Sequence, residues 1–205
     1  MNKKNLSIII SLIVVAIINI VITFLAFYWQ EPLFIIGIIS GVIIFYNLMS
    51  LYAYKKMAIA HDSKEYDLVI KKGKSFLKWN VFSLYRQFIY LLIASSYFAL
   101  SDNKSLKICL YKVKHREALG AKYYYLTLLN FINNDFGNAE TNYNLFLQAS
   151  RSAKGTNYEE YKQILDDIFT FLETKNEETR ENLEKLVLLA KNLYFKKFIE
   201  ELIMV

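Results

Sequence analysis

The sequence predicts an all-α protein, a two-helix transmembrane hairpin followed by stacked helical hairpins. Three observations carry this. Two long uncharged stretches fill most of the first 57 residues, and only one Pro and six Gly occur among 205 residues, a scarcity of breakers that suits long helices better than a sheet with many turns. From about residue 58 onward, apolar residues recur at three- and four-residue spacing, the period of amphipathic helices.

The first stretch, Leu6 to Tyr28, has 23 residues without a charge, about 34 Å of helix and so enough to cross a hydrocarbon core. Its end, Phe24 to Trp29, is bulky and aromatic, where a cleaved signal needs small residues, so it reads as a retained anchor. After Gln30-Glu31-Pro32 a second uncharged run extends from Leu33 to Tyr54, with Pro32 suited to the first turn of a new helix. The expected spans are thus 6–28 and 33–54, within an anchor of residues 1–57. Lys3 and Lys4 precede the first span, Lys55 and Lys56 follow the second, and the connection has Glu31 and no Lys or Arg. This pattern places both termini on the cytoplasmic side of an inner or plasma membrane. Tyr28 and Trp29 at one boundary, and Tyr52 and Tyr54 at the other, fit aromatic interface belts. Inside the spans, Gly37 and Gly41 form a small-residue face for close helix approach, and Asn19 and Asn47 carry amides able to bond across helices. No ionisable side chain lies in either span, which argues against a transport pathway.

Residues 58–205 are expected to form a cytoplasmic helical domain. Breaks fall at Ala60 to Ser63, Lys78 to Asn80, Ser101 to Asn103, Lys114-His115, Asn133 to Gly137, Ser150 to Asn157 and Thr174 to Asn176. Between them the pattern repeats. In Tyr123 to Leu147, Leu126 is the core leucine of a first helix, Asn134-Asp135-Phe136 the turn, Ala139 a small residue of the second helix and Tyr143 its aromatic. In Tyr90 to Val113 the corresponding features are Ala94, Tyr97, Ser101-Asp102 and Leu106, with Leu106 and Ala139 33 residues apart. These segments resemble tetratricopeptide (TPR) repeats. Lys64 to Leu77 resembles a second helix of the same kind, with Tyr66 in the turn and Val69 at the small position. Its first helix would be the continuation of the second span through residues 53–63. Tyr158 to Asn192 is a further helix pair with Thr179 at the small position, and Leu193 to Met204 a closing helix.

The resemblance implies a TPR-like α-solenoid over roughly residues 60–192, binding an extended segment or a helix on its concave side. The groove positions it implies are Phe88, Leu91, Ser95, Phe98 and Ala99, and Ala121, Tyr124, Leu128, Phe131 and Ile132. That surface is apolar, unlike a carboxylate-clamping groove lined by Lys, Arg and Asn. Two occupants remain open: an apolar protein segment, or the chain's own last helix with Phe195, Phe198, Ile199 and Leu202.

The net charge of +6 is unevenly placed. Residues 58–116 carry eleven Lys and Arg against four acids, and residues 117–205 ten against fourteen. A basic belt beside the spans, with Lys55, Lys56, Lys71, Lys72, Lys74 and Lys78 as its membrane-surface residues, suits anionic lipid headgroups better than nucleic acid. Cys109 has no disulfide partner, and with His61 and His115 the only histidines no soft metal-ligand set assembles. No cofactor is expected. Asp166-Asp167 and Glu177-Glu178 point about 100° apart on a helix and do not share a site. No phosphate loop, nucleophile elbow or metalloprotease pair is present. The reading is therefore not an enzyme but a membrane-anchored adaptor or scaffold that recruits a protein partner. Its alternative is a small accessory subunit of a membrane complex acting through its hairpin. Richness in Ile, Lys, Asn and Tyr fits an AT-rich bacterial genome, while the partner and oligomeric state stay open.

Overall fold

A computed structural model describes residues 17–24, 33–79, 85–150, 157–189 and 193–204. All secondary structure among the described residues is helical: α1 (17–24), α2 (Leu33–Asp62), α3 (Tyr66–Trp79), α4 (Arg86–Ala99), α5 (Asn103–Tyr111), α6 (Arg116–Ile132), α7 (Phe136–Ser150), α8 (Asn157–Thr174), α9 (Glu177–Leu189) and α10 (Leu193–Ile203). One of these, over Gly37–Asp62, is long and apolar enough to cross a membrane. The expected first span lies largely outside the described residues, at 6–16 and 25–28, as do Tyr28, Trp29 and Pro32.

The second apolar run does not stop where its composition changes at Lys55. With no Gly or Pro between Tyr54 and Asp62, the hydrogen-bond ladder continues, and α2 is a single helix of 30 residues. The expected boundary between residues 57 and 58 falls inside it. Along Ile38 to Tyr52 most of its large apolar side chains are exposed, whereas Met57 and Ala60 are buried in the core formed with the following helices.

Beyond α2 the helices pair in sequence order: α2 on α3, α4 on α5, α6 on α7, α8 on α9. The first members of successive pairs also touch, α2 to α4, α4 to α6 and α6 to α8, and α10 packs on α9 and reaches α4. One apolar core threads all of them.

The turn inside each pair is built the same way. Lys64, Ser101, Asn134 and Lys175 have φ of 62°, 61°, 57° and 50°, the left-handed residue that ends a helix. At three of the turns the next amide reaches back five residues: Glu65 N–H to Ala60 O, Asp102 N–H to Tyr97 O, and Asp135 N–H to Asn130 O. The following helix is then capped by the side chain just after the left-handed residue. Asp102 accepts from Ser105 N–H at 3.0 Å, Asp135 from Asn138 N–H at 3.3 Å, and Asn176 from Glu178 N–H at 2.9 Å, which satisfies amides a helix start leaves unpaired. Five residues past the left-handed position, Val69, Leu106 and Ala139 are fully buried, and Thr179 is buried near the equivalent place in α9. The small positions expected from the repeats are thus core positions. The break expected through Gly137 is shorter than that, since Phe136 and Gly137 already belong to α7.

Beyond α2, close approach needs glycine at two points. A Cβ on Gly73 of α3 would stand 2.7 Å from Cδ1 of Ile93 on α4, and one on Gly120 of α6 would fall inside the Tyr158 ring of α8.

Candidate functional site

The surface expected to form a groove is the face of α4 and α6, and the chain itself covers most of it. Ser95, Phe98, Tyr124, Leu128 and Phe131 are buried, and Phe88, Leu91, Ala99, Ala121 and Ile132 are half-buried. The cover comes from two directions. From α10, Tyr194 and Phe195 pack on Phe98, with ring centroids 5.5 and 6.5 Å away, and the Asn103 amide donates to the Tyr194 hydroxyl at 2.9 Å. From α8, Tyr161 stacks on Tyr124 at 4.1 Å and Phe169 meets Phe131 at 4.7 Å. Of the two occupants left open by the sequence, the last helix of the chain is the one seen there. Burial follows from residue type, because a row of Phe, Tyr and Leu left in water forfeits roughly 25 cal/mol for every Å² of apolar area.

Two openings remain along this face. Between α6, α8 and α10 is a cavity of about 270 Å³ lined chiefly by Phe131, Ile132, Phe136, Leu172, Phe198 and Leu202, with Asn134, Lys175 and Glu201 at its polar edge. Its rim includes Phe136, which is 49% exposed. The second opening, about 150 Å³, lies where α2 ends, lined by His61, Asp62, Lys64, Tyr66, Ser95, Ala99 and Tyr125.

In this second opening, Ser95 Oγ lies 2.9 Å from His61 Nε2 and donates to Leu92 O at 3.0 Å. A hydroxyl has one proton, so with it on Leu92 O the imidazole N–H is the donor to Ser95. The His61 ring also meets the Tyr66 ring edge-on at 5.3 Å. His61 therefore ties the end of α2 to α3 and α4. Burial pushes the Tyr125 and Tyr124 hydroxyls well above their ordinary range, so both stay protonated donors at neutral pH.

The residues expected inside the membrane divide. Ser40 on α2 donates to the Asn19 side chain on α1, and Gly37 is buried where the Thr23 side chain of α1 packs on it. Asn19 and Gly37 therefore share one helix contact. Gly41 faces open space, and Asn47 donates to Ile43 O of its own helix at 2.9 Å, with its carbonyl oxygen unpartnered among the described residues. The actual partners, Ser40 and Thr23, escaped the sequence reading, although they lie three and four residues from Gly37 and Asn19 and small hydroxyl residues favour such contacts.

Of the expected surface lysines, Lys56, Lys71, Lys72, Lys74 and Lys78 are exposed and Lys55 half-buried. Lys56 extends over the Tyr52 ring at 4.7 Å, and Lys74 over Tyr97 at 5.3 Å. The ion pairs found among the described residues lie elsewhere, from Lys162–Asp166 to Lys197–Glu201 on α8, α9 and α10. Burial raises the Cys109 thiol above its ordinary value, which keeps it a thiol at neutral pH. No group of three metal-ligand side chains gathers among the described residues.

With this geometry in hand, comparison with family models, curated proteins and solved structures finds no match to the chain.

Proposed function

We propose that this chain is a membrane-anchored adaptor whose TPR-like α-solenoid receives an apolar protein segment at the cytoplasmic face. The observation that supports it is the continuity of α2, exposed and apolar along Ile38 to Tyr52 and buried in the helical core at Met57 and Ala60. A helix shared in this way couples the domain to the membrane without a flexible linker. Two spans, with both ends inside, remain the topology that the lysine distribution favours.

The partner's entry point is the cavity beside α10, since α8 and α10 already cover the rest of the groove. Its roughly apolar lining and its volume of about 270 Å³ suit one or two large apolar side chains of a docking helix, which would anchor in the pocket while the charged rim stays wet. A photo-crosslinking residue placed at Ile132 or Phe136 in the full chain, in native membranes, should give one discrete adduct. The same residue at Tyr111, exposed on α5, should not. Equal labelling from both positions rules the adaptor reading out.

A second reading, an accessory subunit acting through its membrane helices, is favoured by the Gly41 face and the Asn47 carbonyl oxygen, neither of which meets a partner among the described residues. Replacing residues 6–54 by an unrelated hairpin separates the two. An adaptor keeps its adduct at Ile132, whereas an accessory subunit loses its complex.

A further inference from the structure

We infer that the chain holds anionic phospholipid headgroups in a collar where α2 meets α3 and α4, with Lys55, Lys56 and Lys78 as its cations. The inference rests on α2 crossing the bilayer, as proposed above.

Three helices are brought to one height there by contacts between them. Tyr54 of α2 packs on Tyr85, at the start of α4, with centroids 5.9 Å apart, and on Phe88 at 6.3 Å. Arg86 then donates to Leu77 O at the end of α3 across 2.7 Å. Lys78 follows Leu77, and Lys55 follows Tyr54. The end of α3 therefore returns to the level at which α2 turns from apolar to charged. This return, invisible in the sequence, brings Lys78 to the level of Lys55 and Lys56.

Among the described residues no ion pair engages the collar's cations. On their own helices the nearest acids are Asp62, six residues beyond Lys56, and Asp67, eleven before Lys78, about 9 and 16 Å along the axis. Arg86 is not one of the free cations, since Leu77 O and the Tyr90 hydroxyl engage its guanidinium. Helical side chains lean toward the helix N-terminus, so Lys55 and Lys56 lean back toward the bilayer, as the Lys56 ammonium over Tyr52 shows. Lys71 stands seven residues before Lys78, about 10 Å farther from the membrane and near the limit set by screening at physiological salt. The surface lysines are therefore unequal: Lys55, Lys56 and Lys78 bind, Lys74 is engaged over the Tyr97 ring, and Lys71 and Lys72 contribute little.

Phospholipid is the occupant favoured over nucleic acid because the same level carries Tyr52 and the exposed apolar flank of α2, a surface that acyl chains cover and nucleic acid does not. The full chain in neutral detergent, offered equimolar phosphatidylglycerol and phosphatidylcholine, should retain the anionic lipid preferentially in native mass spectrometry. A combined Lys55→Gln, Lys56→Gln and Lys78→Gln variant should lose the preference, at about fivefold per lysine, and Lys71→Gln with Lys72→Gln should keep most of it. If the triple variant does not fold, Lys56→Gln and Lys78→Gln singly must each give a graded loss. Equal retention of both lipids by the unaltered chain, an unaffected triple variant or single variants without loss, or equal losses from both lysine sets would overturn the collar. So would displacement of the lipid by single-stranded RNA through the same three lysines. Alkaline carbonate extraction of membranes tells the failures apart: a chain that is washed off defeats the anchor itself, and a retained chain without lipid preference defeats only the collar.

Discussion

The ring of Phe98 on α4 meets the ring of Tyr194 on α10 edge to face, with centroids 5.5 Å apart and planes at 70°. Through this contact a helix at the end of the chain closes a face formed in its middle. The geometry is the one that places a ring's positive edge on its neighbour's negative face. The ion pairs of α10 are internal, Lys196–Glu200 and Lys197–Glu201, so its attachment is chiefly apolar, through Phe195 and the fully buried Ile199.

Ile199→Ala should therefore destabilise the full chain by about 2–4 kcal/mol, the range for truncating a buried aliphatic side chain. Denaturant unfolding in detergent, followed by helical circular dichroism, measures it. Binding of an apolar dye should rise at the same time, because a loosened α10 uncovers Phe98. A change within 0.5 kcal/mol, the range of surface substitutions, would mean that α10 is not held by this contact.

Neighbouring residues in the α4–α5 turn should respond with opposite signs. Ser101 is left-handed, with φ of 61°, and exposed. Ser101→Gly should stabilise by about 1 kcal/mol by relieving the Cβ crowding of that conformation. Asp102→Ala removes the acceptor of Ser105 N–H and should cost about 1 kcal/mol. Paired unfolding curves of the two variants decide this.

The same aspartate gives a pH dependence. Hydrogen bonds from the Ser105 side chain and backbone hold its carboxyl below the ordinary carboxylate value. A depressed folded value means that the ionised cap stabilises fully above the unfolded value, near 3.9, and that this is lost as pH falls through the folded one. The gap between the unaltered chain and Asp102→Ala should thus be constant from pH 7 to about 5 and shrink below about 4. A gap that widened on acidification would remove the charged cap from the account.

What the sequence made legible follows from where the chemistry is local. The pairs Ser101-Asp102 and Asn134-Asp135 carry their own turn and cap chemistry, so those breaks can be read residue by residue, and Val69, Ala94, Leu106 and Ala139 follow at fixed offsets as buried positions. The fate of the groove is a different matter. Phe98 and Tyr194 are joined only by the tertiary fold, and a Phe awaiting a partner has the same local pattern as one under a helix. Ser95 shows the same limit, because its partner His61 lies 34 residues away. At Lys55 the composition changes while the helix continues, since charge alone does not end a hydrogen-bond ladder.

At the α6–α8 contact, Gly120→Ala should be more damaging than an exposed glycine change elsewhere. Alanine favours a helix by about 1 kcal/mol over glycine, yet its Cβ would enter the Tyr158 ring, and overpacking costs about 1–3 kcal/mol. Gly137→Ala on α7, where a Cβ meets nothing, keeps the propensity gain alone. Opposite shifts in unfolding midpoint are expected for the two, with Tyr158→Ala in the Gly120→Ala background recovering part of the loss.

Gly37 and Gly41 offer the same contrast inside the apolar segment, where glycine spacing by itself suggests two equal contact points. The Thr23 side chain fills the space above Gly37, and Ser40 one turn on donates to Asn19, so α1 leans on α2 at Gly37 and not at Gly41. Gly37→Leu must push α1 away and break the Ser40–Asn19 bond with it, whereas Gly41→Leu meets open space. Intramembrane side-chain hydrogen bonds average only about 0.6 kcal/mol, so most of the Gly37→Leu penalty is steric. Ser40→Ala, which removes the bond and keeps the packing, should accordingly cost far less. Unfolding of the full chain in detergent ranks the three variants. The order Gly37→Leu, Ser40→Ala, Gly41→Leu from most to least damaging is required by a contact made of packing first and hydrogen bonding second. A dominant loss from Gly41→Leu would instead mean that the open face of α2 is occupied, and would move the weight of the argument to a helix partner inside the membrane.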